Sequence, residues 1–67
     1  MNINSYINKL RIEVSKNYLL ATDKQIAEIA ELIGFDDLSY YSKTFSLLIG
    51  YSPAEFRRRF SKENYYE

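Results

Sequence analysis

The stretch ELIGFDDLSYYS, residues 31–42, carries one helical pattern into Gly34 and starts another almost at once. Before the glycine, Ile26, Ile29, Ala30 and Ile33 recur at helical spacing, with Glu28 and Glu31 on the opposite side. That predicts a short helix over 24–33. Gly34 stands where a left-handed C-terminal cap belongs, a backbone shape that glycine takes without steric cost. Phe35 then returns to the core, and Asp36 or Asp37 caps the next helix. No loop fits between the two. Ala30 is small where the two helices must cross closely.

The helix after the turn, expected over 37–49, has two unlike faces. Leu38, Tyr41, Phe45, Leu48 and Ile49 keep the helical period and are expected to point inward. Ser39, Ser42, Lys43 and Ser46 gather on another side, short and polar. Gly50 ends the helix. SPAE then opens a further one over 53–60, with Ser52 as cap, Pro53 in the first turn and Glu55 at capping-box spacing. Phe56 and Phe60 are its expected core residues. Upstream, Ile3, Tyr6, Ile7, Leu10, Val14 and Tyr18 form an apolar stripe on a helix over 4–20. ATDK breaks it, and Thr22 or Asp23 is expected to cap the second helix, Thr22 and Gln25 having capping-box spacing. The reading is an all-α, four-helix unit over residues 1–60, with 61–67 as a tail.

Composition closes off most other chemistry. The 67 residues include no cysteine and no histidine. That removes disulfides, thiolate metal sites and the usual acid–base partner, so a zinc site would have to be all-carboxylate, which zinc rarely uses. There is no Gly-rich phosphate loop, and serines without a base are not nucleophiles. An enzyme is not expected, nor a cofactor. No apolar run nears the roughly 20 residues that span a bilayer, and the N-terminus lacks the features of a signal peptide. The cytoplasm is the expected compartment, without membrane contact. Hydrophobic residues make up 46% of the chain, enough for a packed core.

A short helix, a glycine turn and a second helix with a clean polar face describe a helix-turn-helix, whose second helix can enter a major groove about 12 Å wide. Small helical bundles use the same turn without touching nucleic acid. The charge is equivocal too: nine basic and nine acidic residues give a formal net charge of zero. Only Lys43, Arg57, Arg58, Arg59 and Lys62 form a basic cluster, against Glu55.

Three segments go further. LRIEVSKNYLL, IAEIAELIGF and SYYSKTFSLLIGYSPAEFRRRF closely resemble the linker helix, the I-A-x-x-x-G-F core and the S-Y-F-S-R-x-F, G-x-S-P-x-x-Y-R segments of the AraC/XylS family of transcription regulators. The resemblance covers residues 6 to about 60. It implies a homeodomain-like helix-turn-helix over 24–49, a long N-terminal linker helix over 4–20, a closing helix over 53–60, and sequence-specific binding of double-stranded DNA in a bacterial regulator. The family's DNA-binding unit is about twice this length, so the expected partners include a first helix-turn-helix and a sensor domain. By the same resemblance Leu38, Ser39, Ser42 and Lys43 face base edges. Lys24, Gln25, Tyr40, Ser46 and Arg57 are then expected at phosphates. Leu38 keeps two readings, core by its period and thymine-methyl contact by resemblance. Tyr40 keeps two as well, phosphate contact or packing. Arg58 and Arg59 fit a solvated helix end favoured by the helix dipole.

Two departures point elsewhere. Where the family commonly carries two basic residues late in the recognition helix, this chain has Ser46 and Leu47, and Leu47 is expected to be exposed. The family's usual Phe before Lys43 is Tyr41, whose hydroxyl must find a partner or reach solvent. With the zero net charge, the aromatic tail and the apolar patch that half a domain is expected to expose on its linker helix, exposed Leu47 supports an alternative: a protein-interaction or assembly module without DNA binding of its own, forming a homodimer.

Overall fold

A computed structural model of the chain describes residues 2–61; the tail expected at 61–67 lies, apart from Ser61, outside the described residues. Among them there are four helices and no strand: α1 (Ile3–Ala21), α2 (Ile26–Leu32), α3 (Leu38–Ile49) and α4 (Pro53–Phe60).

Local chemistry sets most of the boundaries. The Asn2 side chain accepts a 2.8 Å hydrogen bond from the Ser5 amide at the head of α1. Asp37 caps α3 through the Ser39 amide at 2.8 Å, and Ser52 caps α4 through the Glu55 amide at 3.1 Å. The expected reciprocal bond from Glu55 gives way to stronger partners, since its carboxylate binds Arg58 and Arg59. Thr22 also departs from expectation. Its hydroxyl donates to the Tyr18 carbonyl at 2.7 Å, closing α1, and accepts from the Lys24 amide at 3.3 Å, short of the first turn of α2. The N-cap of α2 is Gln25, which makes no side-chain capping bond.

The glycine turn forms as its sequence requires. Gly34 has φ 98°, its amide bonds the Glu31 carbonyl at 3.1 Å, and the Phe35 amide bonds the Ala30 carbonyl at 2.9 Å. This is a Schellman closure, with Phe35 and Ala30 meeting in the core. A Cβ at Gly34 would lie 3.1 Å from Arg11 Cζ, whereas one at Gly50 (φ 95°) would meet nothing within 4 Å. Both glycines carry the left-handed cost of about 1–2 kcal/mol for an alanine, and only Gly34 adds crowding. Gly34→Ala is therefore expected to lower unfolding stability more than Gly50→Ala in urea titrations; the reverse order would contradict this turn geometry.

The core joins Ile12 and Leu19 of α1, Ile29 and Ala30 of α2, Phe35, Tyr41 and Phe45 of α3, and Phe56 of α4. Rings run through it edge to face, with Tyr41–Phe45 centroids 5.8 Å apart and Phe45–Phe56 5.4 Å. α3 thus packs largely as its period predicts, but Leu38 and Leu48 are about half exposed. Each sits at the margin of the buried stripe, Leu38 in the first turn and Leu48 beyond the arc that Tyr41 and Phe45 bury. Phe60 is also half exposed, lying against Tyr51 and Phe56.

On α1 the long apolar stripe does not face the core. The stripe of Ile3, Tyr6, Ile7, Leu10 and Val14 is exposed, and Tyr18 is only partly buried against the core. Ile12, Ser15 and Leu19 face inward instead. Ser15 is tolerated there because its hydroxyl donates to the Ile12 carbonyl of its own helix at 2.8 Å.

Tyr41 is fully buried and its hydroxyl has no hydrogen-bond partner among the described residues. Burial pushes the phenol above its ordinary 10.0, against smaller downward pulls from the Ser15 hydroxyl and the Arg57 charge. Removing an unsatisfied buried hydroxyl relieves a desolvation cost of about 1–3 kcal/mol. Tyr41→Phe is accordingly expected to be neutral or up to about 1 kcal/mol more stable at pH 7. Above pH 10 the unfolded chain releases this proton while the fold retains it, so wild-type stability falls as pH rises. The advantage of the Phe variant should then widen, and a gap that narrows in alkaline melts would refute this.

Candidate nucleic-acid interface

The face of α3 away from the core presents Ser39, Lys43 and Leu47 one turn apart, all exposed. Ser42 and Ser46 flank this row and are half-buried. Leu47, at 85% exposure, is the most open large apolar side chain among the described residues. Lys43 has no ion-pair partner among the described residues. Its ammonium is therefore free to meet an external acceptor. Leu38 lies at the head of the helix, and its exposure leaves the contact reading open to it.

Tyr40 borders the same face. Its ring stands edge-on to Phe35 with centroids 5.4 Å apart, and its hydroxyl accepts a 2.8 Å hydrogen bond from Asn8 Nδ2 on α1. The packing and the contact readings are thus compatible, because the phenolic hydrogen remains available to an outside oxygen. Gln25 is exposed beside α2, its amide uncommitted to capping. Lys24 lies 3.5 Å from Glu28, an i,i+4 pair open to solvent.

The basic cluster of the sequence does not gather into one patch. Arg57 turns inward, its Nε donating to the Leu19 carbonyl at 3.0 Å, Nη1 to Lys24 at 2.7 Å and Nη2 to Thr22 at 3.1 Å. That commitment leaves Arg57 poorly placed for the expected phosphate contact. Arg58 and Arg59 both bind the Glu55 carboxylate, and the Arg59 hydrogen bond, with Arg58 adding to it, holds that carboxyl below its ordinary range. Arg59 also lies over the Tyr51 ring, 5.1 Å from its centroid. Lys62 lies outside the described residues. No sequence signal pointed to this inward role of Arg57, because its acceptors stand 33 to 38 positions away.

Comparison with known proteins decides the family. A model described as a helix-turn-helix domain matches residues 1–59. The transcriptional activator RhaR of Klebsiella pneumoniae is 42% identical over 59 residues, covering 88% of this chain and 21% of that protein. The chain belongs to the AraC-type helix-turn-helix family. The transcriptional activator NphR of a Rhodococcus species is 33% identical over 87% of the chain, and YisR of Bacillus subtilis, an uncharacterized HTH-type transcriptional regulator, 36% over 87%. No solved structure matches. The chain spans about a fifth of the length of these relatives. The relatives are transcription regulators with a helix-turn-helix DNA-binding domain, not enzymes. No helix among the described residues is long and apolar enough to cross a membrane.

Proposed function

We propose that this chain binds duplex DNA sequence-specifically within a bacterial transcription regulator, with α3 in the major groove. Ser39, Ser42 and Lys43 meet base edges, where hydroxyls serve several bases and an ammonium suits guanine O6 and N7. Leu38 is placed to touch a thymine methyl. Tyr40, Ser46, Gln25 and Lys24 stand at the flanking phosphates. The observation that carries this reading is the exposed row of Ser39 and Lys43 on the second helix of the helix-turn-helix in an AraC-type unit, with Lys43 free of ion pairs among the described residues.

The test is binding of the chain to a pool of random-sequence duplexes, titrated from low to physiological salt. A steep negative slope of log affinity against log salt, with enrichment of a common site, is expected. A chain shown to be helical that binds no duplex even at the lowest salt would overturn independent DNA binding.

A second reading rests on the outward stripe of α1. Ile3, Ile7, Leu10 and Val14 are exposed, and the last three, with Leu32, line an apolar groove of about 230 Å³. Such a continuous face on a domain surface marks a packing site. It supports a first helix-turn-helix of the longer regulator, or a second copy of the chain, as the occupant, and Leu47 would add to such assembly. Sedimentation equilibrium separates these. A dimer abolished by Leu10→Glu favours self-association, and a monomer at high concentration removes it.

A further inference from the structure

We infer that Arg57 is a positioning residue for DNA binding: it fastens α4 across the corner between α1 and α2 and so fixes the angle at which α3 is carried against α1. The functional half of this inference rests on the DNA reading above.

The geometry is that of a clamp. One guanidinium on α4 donates to three carbonyls, those of Leu19 in the last turn of α1, Thr22 at its C-cap and Lys24 just before α2. Terminal carbonyls of a helix lack intrahelical partners, and the dipole there favours a cation. α1 has no basic residue in its own last turn, so Arg57 supplies the charge from another helix. The same side chain therefore ends α1, holds the connection and sets the start of α2. α4 in turn follows α3 through the short Gly50–Ser52 turn and packs on it through Phe45 and Phe56. Recognition helix and linker helix are thereby tied at a second point, remote from the polar row of α3. A lysine cannot replace the clamp, because an ammonium is a point donor while the planar fork spans separated acceptors.

The experiment compares Arg57→Gln and Arg57→Lys with the wild-type 67-residue chain, at temperatures where circular dichroism shows each to be folded. Backbone residual dipolar couplings without DNA report the angle between α1 and α3. Affinity for a duplex selected by the wild type reports function, with its salt slope. Both variants are expected to keep each helix but change the inter-helix angle, and to bind about tenfold more weakly with an unchanged slope. Wild-type couplings in the Lys variant, with wild-type affinity, would overturn the inference even if the Gln variant fails to fold. A slope reduced by about one unit with the angle unchanged would make Arg57 a phosphate contact instead. A lower melting temperature alone, with the folded variants keeping angle and affinity, would reduce Arg57 to a merely stabilising role and also overturn it. If the wild type binds no duplex, the DNA reading fails while the couplings still decide the clamp.

Discussion

Replacing Phe45 by alanine is expected to remove about 3–5 kcal/mol of folding stability, the range for deleting a buried aromatic ring. Phe45 is fully buried, and it links the ring of Tyr41 on its own helix to that of Phe56 on α4. The loss therefore combines transfer of the ring to water, a cavity at the junction of two helices, and two edge-to-face contacts. A domain of this size has a total stability of roughly 3–10 kcal/mol at the usual 0.05–0.15 per residue. No disulfide can compensate, since the chain has no cysteine. The variant should consequently lose its cooperative thermal transition or melt near room temperature by circular dichroism. A variant that still unfolds cooperatively, with less than about 1 kcal/mol lost, would mean that the α3–α4 core is packed otherwise.

That core was the legible part of the fold. Tyr41, Phe45 and Phe56 announce themselves by helical spacing, and Gly34 and Gly50 mark their turns because each needs a positive φ. The same logic found the stripe of α1 without saying which side of the helix meets the core. α1 carries apolar residues on two sides, and the longer stripe, Ile3 to Val14, is the exposed one. Periodicity says that a face avoids water; it does not say which body covers that face. The inner face was harder to see because Ser15 interrupts it, and only the self-satisfied Ser15–Ile12 bond explains a serine there. Thr22 was ambiguous for a related reason, since one hydroxyl can end a helix or begin the next and only the three-dimensional corner decides. Among the proposed site residues, the exposure of Ser39 and Lys43 was readable from helix period. The role of Arg57 was not, because side-chain donation to carbonyls on distant helices leaves no local pattern.

Lys43→Ala tests the proposed interface with the least disturbance to the fold. The side chain is exposed, has no ion-pair partner among the described residues and contributes nothing to the core, so unfolding stability should change by less than about 0.5 kcal/mol. Affinity for a selected duplex is a different matter. If Lys43 reads a base, its loss should weaken binding by about 1–3 kcal/mol and relax preference at one position of the site. If it meets a phosphate, binding should instead weaken evenly across sequences, and the salt slope should fall by about one unit. Electrophoretic or anisotropy titrations on matched and single-mismatch duplexes, at two salt concentrations, separate the two. Leu47→Lys sharpens the contrast, since Leu47 stands one turn further along the same exposed row. An added cation there should steepen the slope and raise affinity on every sequence, if α3 lies along a groove with its later turns near the backbone. Unchanged affinity and slope in both variants would remove α3 from the DNA altogether and turn attention to the apolar face of α1.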